Sequence, residues 1–285
     1  MEKNKHMIKI CIPSYKRSNE VLALDGVSES LQKKYYWLCV RSEEIDEYKK
    51  NYPHCNYLDL GKNFGTRGIV ETRQRINEMM SGKILVIDDD ITFNKTKIVI
   101  DENSDFHYMR YDTDFSSNQI IEEMLDYIEP LMDQSPHGSI RSLLHPRDAR
   151  KYMPYTTNKT CLWAVWFDLD NIDTSEVSYR HGPEFAEDIY MSCRFFEMGH
   201  DLINVCTYSI KKAKTTGSQD GGCNAHSNRG QAHNESVNWL VNKYPYLCRK
   251  QKSQTYNKTM GMEVNAVVCR LNRKKLNKSK PLFNI

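Results

Sequence analysis

The segment Lys83-Ile84-Leu85-Val86-Ile87 runs straight into Asp88-Asp89-Asp90. An apolar, β-branched run of this length reads as a buried strand. A buried strand that stops at three carboxylates must deliver them to a place where water, a cation or a ligand can meet them. Open α/β sheets bind ligands at the carboxyl ends of their strands. Backbone alternation puts Asp88 and Asp90 on one side and Asp89 on the other. Two carboxylates on one side repel each other, and a hard divalent cation that also bridges to a phosphate relieves them. The segment therefore reads as a metal site for a nucleotide diphosphate, with a solvated acidic turn as the plainer alternative.

A chain of 285 residues fits one large α/β domain, or one domain with an appendage. It has no run of about 18 apolar residues, so no membrane span is expected. Met1-Glu2-Lys3-Asn4-Lys5-His6-Met7 lacks the apolar stretch of a signal peptide. Nine cysteines without a Cys-x-x-Cys pair suggest reduced thiols in a cytoplasm and argue against structural zinc. The net charge of +3 conceals an asymmetry: residues 206–285 carry 15 Lys and Arg against 3 Asp and Glu, and the preceding 205 residues carry 25 against 34. A basic third attached to an acidic body suggests a polyanionic partner, with a solubilising tail as the alternative.

Strand and helix signals alternate over the first ninety residues, which predicts a mostly parallel sheet. Strands are expected over Met7–Pro13, Tyr35–Val40 and Tyr57–Leu60, with a short helix over Ser42–Asn51 capped by Ser42. The glycine-rich loop Gly61–Gly68 leads into a helix over Ile69–Met80. That helix carries Arg73 on the same stripe as Ile69 and Ile76, and an inward arginine needs an anionic partner. A helix over Asn118–Met132, a strand over Lys159–Phe167, a helix over Glu187–Met198 closed by Gly199, and a strand over Leu202–Tyr208 follow.

In this order, the pieces resemble the GT-A fold of nucleotide-sugar glycosyltransferases. Ile12-Pro13-Ser14-Tyr15-Lys16-Arg17 looks like its nucleotide-binding opening. Thr66–Asn77 with Arg73 resembles the helix before the metal strand, Asp88-Asp89-Asp90 its Asp-x-Asp motif, and Glu187-Asp188 its acceptor-side acidic pair. The resemblance implies an α/β, Rossmann-like core over residues 1–205, with residues 1–110 as the nucleotide-sugar half and 111–205 as the acceptor half. Residues 206–285 would then be a basic segment that closes over the site and contacts the acceptor. It implies nucleotide-sugar contacts from Pro13, Ser14, Tyr15, Arg17, Arg67, Arg73, Asp88 and Asp89, and Mn²⁺ or Mg²⁺ held by Asp88, Asp90 and His226. Asp188 is the expected base, with Glu187 and Glu184 as alternates. A carboxylate base acting directly on the acceptor implies inversion at the anomeric carbon.

The IPSYKR opening, and the Gly221-Gly222 segment before Tyr244-Pro245, look like phage and TET-associated glycosyltransferases. That finer resemblance implies a UDP-sugar donor, a hydroxymethylpyrimidine acceptor in DNA and, for a phage protein, the host cytoplasm. Three readings compete: transfer to surface polysaccharide or lipid-linked sugar, metal-dependent nuclease or nucleotidyltransferase chemistry on the same carboxylates, and DNA binding without catalysis. The sugar and the oligomeric state are not legible in the sequence.

Overall fold

The structure is a computed structural model that describes residues 8–65, 67–100, 107–112, 115–142, 154–212, 228–251, 255–257 and 262–273. Strands β1 (Lys9–Pro13), β2 (Tyr36–Val40), β3 (Asn56–Asp59) and β4 (Lys83–Ile87) pair in parallel in the order β3-β2-β1-β4. The helices α1 (Glu29–Tyr35), α2 (Ile45–Asn51) and α3 (Gly68–Met79) connect them. The chain steps outward from β1 to β3 and then places β4 on the other side of β1. The winding reverses between these two strands, the position beyond whose carboxyl ends open α/β sheets bind ligands.

The sheet continues past β4 through β9 (Ala164–Asp168), β7 (His137–Ser142), β10 (Ile203–Lys212), β5 (Ile91–Ile100) and β6 (His107–Asp112), with β8 (Tyr155–Thr157) on β10. Antiparallel pairs enter in this half, yet seven of the ten strands run in one direction, as the strand–helix alternation predicts. Helices α4 (Ser117–Gln134), α5 (Glu187–Glu197) and α6 (Arg229–Lys243) complete the layers. Two small hairpin-like pairs follow, β11 (Cys248–Lys250) with β14 (Val267–Cys269) and β12 (Thr255–Asn257) with β13 (Met262–Val264). Among the described residues no helix is long and apolar enough to cross a membrane.

Period-two alternation divides the core between the two faces of the sheet. Ile10 and Ile12 of β1, Leu85 and Ile87 of β4, and Ala164 and Trp166 of β9 pack with α1 and α4. Cys11, Ile84, Val86, Val165 and Phe167 face the other way, toward residues of α3, α5 and α6. Asp88 and Asp90 inherit the register of Val86 and Asp89 that of Ile87, so the carboxylates leave the strand on the sides the alternation predicts.

Several expectations change. Ser42 does not cap α2: its hydroxyl donates to Asp59 Oδ1 at 2.6 Å, and the helix begins at Ile45. The strand expected from Lys159 begins only at Ala164, because Trp163 has a φ of 64° that no strand accepts. Strands β5, β6 and β7 carry too many polar residues to stand out by hydropathy. The boundary drawn between residues 205 and 206 falls inside β10, a core strand. Beyond it Leu240, Tyr244, Leu247, Cys248 and Leu271 join the α3–α5 core, so these residues belong to the same domain.

Candidate active site

The loop after β1 is held by Asp89. Its carboxylate accepts from Ser14 Oγ at 2.7 Å and from Arg17 Nη1 at 2.6 Å, and its carbonyl accepts from the Ala23 amide. The buried Tyr48 donates to Ser14 Oγ at 2.8 Å and accepts from the Arg17 amide at 3.1 Å. Lys16 sits at φ 57°, and its amide donates to Glu44 Oε1. Burial raises the Asp89 carboxyl while Arg17 opposes the rise. The turn that follows Pro13, with Ser14, Tyr15 and Arg17, is thus preorganised at the end of β1, and Asp89 is its anchor.

On the opposite side of the β4 terminus, Arg73 gathers three carboxylates. Its side chain is 4% exposed, with Nη2 3.2 Å from Asp88 Oδ1, Nε 3.2 Å from Glu187 Oε1 and Nη1 3.1 Å from Asp188 Oδ1. Only the Asp88 contact has hydrogen-bond alignment; Arg73 Nε, Arg73 Nη1 and Asp188 Oδ1 are buried without an aligned partner. The contacts to Glu187 and Asp188 are therefore charge contacts. Burial, helped by the neighbouring acid, drives the Glu187 carboxyl well above its ordinary range despite Arg73. Burial raises Asp188 as well, against Arg73 and the Trp163 backbone.

Lys212, the last residue of β10, places Nζ 3.3 Å from Asp88 Oδ2 and 3.6 Å from Asp90 Oδ1. Asp90 Oδ1 is buried and has no hydrogen-bond partner at bonding distance. Among the described residues, five carboxylates (Asp88, Asp89, Asp90, Glu187, Asp188) thus face Arg17, Arg73 and Lys212. The neighbouring Asp88 and Asp90 carboxylates, and the Asp90 Oδ1 that lacks a hydrogen-bond partner, fit a divalent cation. His226, the expected third ligand, lies outside the described residues, as does the glycine-rich stretch around it.

Backbone strain is concentrated here. Of five non-glycine residues with positive φ among those described, Lys16, Trp163 and Ala186 flank the site. Trp163 centres a γ-turn, with the Ala164 amide donating to the Leu162 carbonyl at 2.7 Å, a conformation that is rare at positive φ. The Trp163 carbonyl accepts from the Asp88 amide at 3.1 Å, and its own backbone acts on Asp188. Ala186, at φ 59°, turns the chain into α5 so that Glu187 and Asp188 begin the helix pointing at Arg73.

Arg67 is engaged elsewhere. Arg67 donates to the carbonyls of Arg180 and Gly182, at 3.1 and 2.6 Å, and ties the start of α3 to the segment before α5. Arg180 clasps Glu71 and Glu78 of α3, and Arg180 holds the Glu71 carboxyl down at about 2. Tyr15 is half-buried, with the Arg41 guanidinium 3.7 Å from its ring centroid; Arg41 also lies over Phe64 at 4.3 Å. Arg41, Tyr48 and Trp163 went unrecognised in the sequence. The one available signal was the position of Arg41 directly after an apolar strand, the placement that had singled out Asp88.

The matched family model, TET-associated glycosyltransferase, covers residues 8–222, and the chain belongs to this family of glycosyltransferases. A curated relative, the Beta-glucosyl-HMC-alpha-glucosyl-transferase of Enterobacteria phage T6, is 24% identical over 261 residues, covering 90% of this chain and 89% of that protein. Among solved structures, S. aureus TarS 1–349 in complex with UDP superposes with a TM-score of 0.44 at 12% identity, over 83% of this chain and 72% of that one. A UDP-glucose pyrophosphorylase complexed with UDP-glucose gives 0.38 at 12% identity, over 72% and 92%.

Proposed function

We propose that the protein moves a sugar from a UDP-sugar to a hydroxyl on a 5-hydroxymethylpyrimidine of phage DNA, in the host cytoplasm. The observation that carries this reading is the convergence of Asp88, Glu187 and Asp188 on one arginine, with Asp90 beside Lys212, at the strand ends where the sheet reverses its winding. The donor's nucleoside lies against Pro13–Arg17, where the half-buried Tyr15 ring offers a face for uracil. Asp88 and Asp90 hold Mn²⁺ or Mg²⁺, which would supply Lewis-acid stabilisation of the charge that builds on the departing diphosphate.

Asp188, with Glu187 as the alternate, takes the acceptor proton. Burial raises both carboxyls above their ordinary range, a direction that suits a general base. Arg73 keeps the pair oriented and prevents both from staying protonated. A hydroxyl deprotonated this way and attacking in line gives inversion at the anomeric carbon, whereas the alpha-glucosyl in the phage T6 relative's name corresponds to retention from an α-configured donor, so the product's stereochemistry tests the direct-base route. That relative, named for transfer onto β-glucosyl-HMC, supports a phage base-modification acceptor and adds a second form of it, a base that already carries a sugar.

The test incubates the protein with UDP-sugars, Mn²⁺ and DNA containing 5-hydroxymethylcytosine, bare or glucosylated, and weighs the digested nucleosides. A gain of one sugar mass is expected, and the anomeric proton coupling of the product separates inversion from retention. No gain with any donor, while a polysaccharide or lipid-linked sugar is labelled, overturns the DNA acceptor. Strand cleavage without sugar transfer moves the carboxylates to phosphoryl chemistry.

A further inference from the structure

Away from the acid cluster, three cysteines distant in sequence meet against the middle of α5. Cys193 comes from α5, Cys248 from β11 and Cys269 from β14, and their sulfurs all lie within 4.8 Å of one another. Cys193 Sγ is 3.6 Å from Cys248 Sγ, and Cys248 Sγ is 2.8 Å from Cys269 Sγ. The separations of 55 and 21 residues match no zinc-motif spacing, which is why the sequence argued against such a site.

The register explains how the strand pair contributes. Cys248 stands directly opposite Cys269, while the Arg270 amide donates to the Leu247 carbonyl one step away. Cys248 and Cys269 are therefore a non-hydrogen-bonded pair, the kind whose side chains approach most closely on one face. That face is turned to α5, and Cys193 completes a triangle of thiols.

We infer that Cys193, Cys248 and Cys269 bind one Zn²⁺, with the fourth position taken by a water or another small donor. Zn–S bonds of about 2.3 Å at tetrahedral angles set sulfurs roughly 3.8 Å apart. The Cys193–Cys248 edge already has nearly that length. The Cys248–Cys269 edge opens by a rotation of Cys269, the one member that is only half-buried. A cross-strand disulfide would use two of the thiols and give the third no purpose. A metal uses all three, and borderline-soft Zn²⁺ suits thiolates. The physical need is also evident: a pair of three-residue strands is marginal alone, and the cation would staple it to the helix whose first residues are Glu187 and Asp188.

The full chain is purified under reducing conditions without chelator, and its metal is counted by inductively coupled plasma mass spectrometry. One zinc per chain is expected, lost in Cys193→Ser, Cys248→Ser and Cys269→Ser and kept in Cys206→Ser. Because the variants could misfold, the wild-type protein is also exchanged with Co²⁺, and a sulfur-to-cobalt charge-transfer band is expected in the near ultraviolet. Metal-free protein without that band, or a Cys248–Cys269 disulfide in peptide maps of protein made in a reducing cytoplasm, overturns the assignment. Neither outcome bears on the glycosyl-transfer reading, which has its own assay.

Discussion

Arg73 Nη1 lies 3.1 Å from Asp188 Oδ1, at the centre of a guanidinium that also touches Glu187 and Asp88. This one side chain holds the acids that open α5 against Asp88 at the end of β4. Removing a buried partner leaves an uncompensated charge and costs about 3–5 kcal/mol. Arg73→Met is therefore expected to lose most of its stability at pH 8 and to recover part of it at pH 5, where the carboxylates take up protons. Arg73→Lys should fold better yet remain poorly active, because one ammonium lacks the fork that reaches three acids. Thermal melts at the two pH values and a turnover assay check this.

Lys212 sits where a cation would bind Asp88 and Asp90. Lys212→Met is expected to tighten Mn²⁺ binding several-fold, since it removes a competing charge, and titration calorimetry reads the change directly. Asp90→Asn should abolish Mn²⁺-dependent UDP binding and lower turnover by about a hundredfold or more, while DNA retention in a filter assay stays near wild type. Equal UDP affinity with and without Mn²⁺ in the wild-type protein would remove the metal from the proposed mechanism.

Two buried groups give opposite pH slopes. His137 is stacked between Phe167 and Phe195, and burial lowers its pKa to about 3. The unfolded chain binds that proton below about pH 6.5, so this contribution to stability falls as pH drops from there toward 3. Glu187 is raised, so the folded state holds its proton longer and stability falls as pH climbs from the ordinary carboxyl range to the raised value. Glu187→Gln should therefore melt a few degrees higher than wild type at pH 8 and lose that advantage near pH 4. Its activity should fall, by about a hundredfold if Glu187 is the base.

Ala186 occupies the left-handed region at φ 59°, which costs a residue with a Cβ roughly 1–2 kcal/mol. Ala186→Gly should raise the melting temperature by about 2–4 °C and leave turnover nearly unchanged, because the backbone that aims Glu187 and Asp188 is retained. Ala186→Val should lower both. Gly182→Ala has no such relief: its Cβ would collide with the Tyr190 ring, and the variant should be strongly destabilised.

The end of β4 was legible because a buried strand that stops at charged residues has little else it can be, and period two assigns each carboxylate a side. Arg73 was legible as an inward charge, but its partners were not. Glu187 and Asp188 are over a hundred residues away, and only the packing of α5 beside α3 brings them to it. Tyr48 is the reverse case: a helix tyrosine that reads as core and in fact organises the loop after β1 through its hydroxyl. Trp163 carried no signal at all, since a bulky residue at positive φ breaks the local rule that sequence reading depends on.

Alone, then, the amino-acid order specified the strand–helix alternation and the acidic tip at the carboxyl end of β4, while the point where the winding reverses came from the strand order. The first two follow from short-range periodicity and from the refusal of charge to enter an apolar layer. The tertiary structure decided which acids share an arginine, which lysine stands between Asp88 and Asp90, and that Cys193, Cys248 and Cys269 meet. Those outcomes depend on how whole helices and strands pack, and packing distances between remote segments are not written in any local pattern of residues.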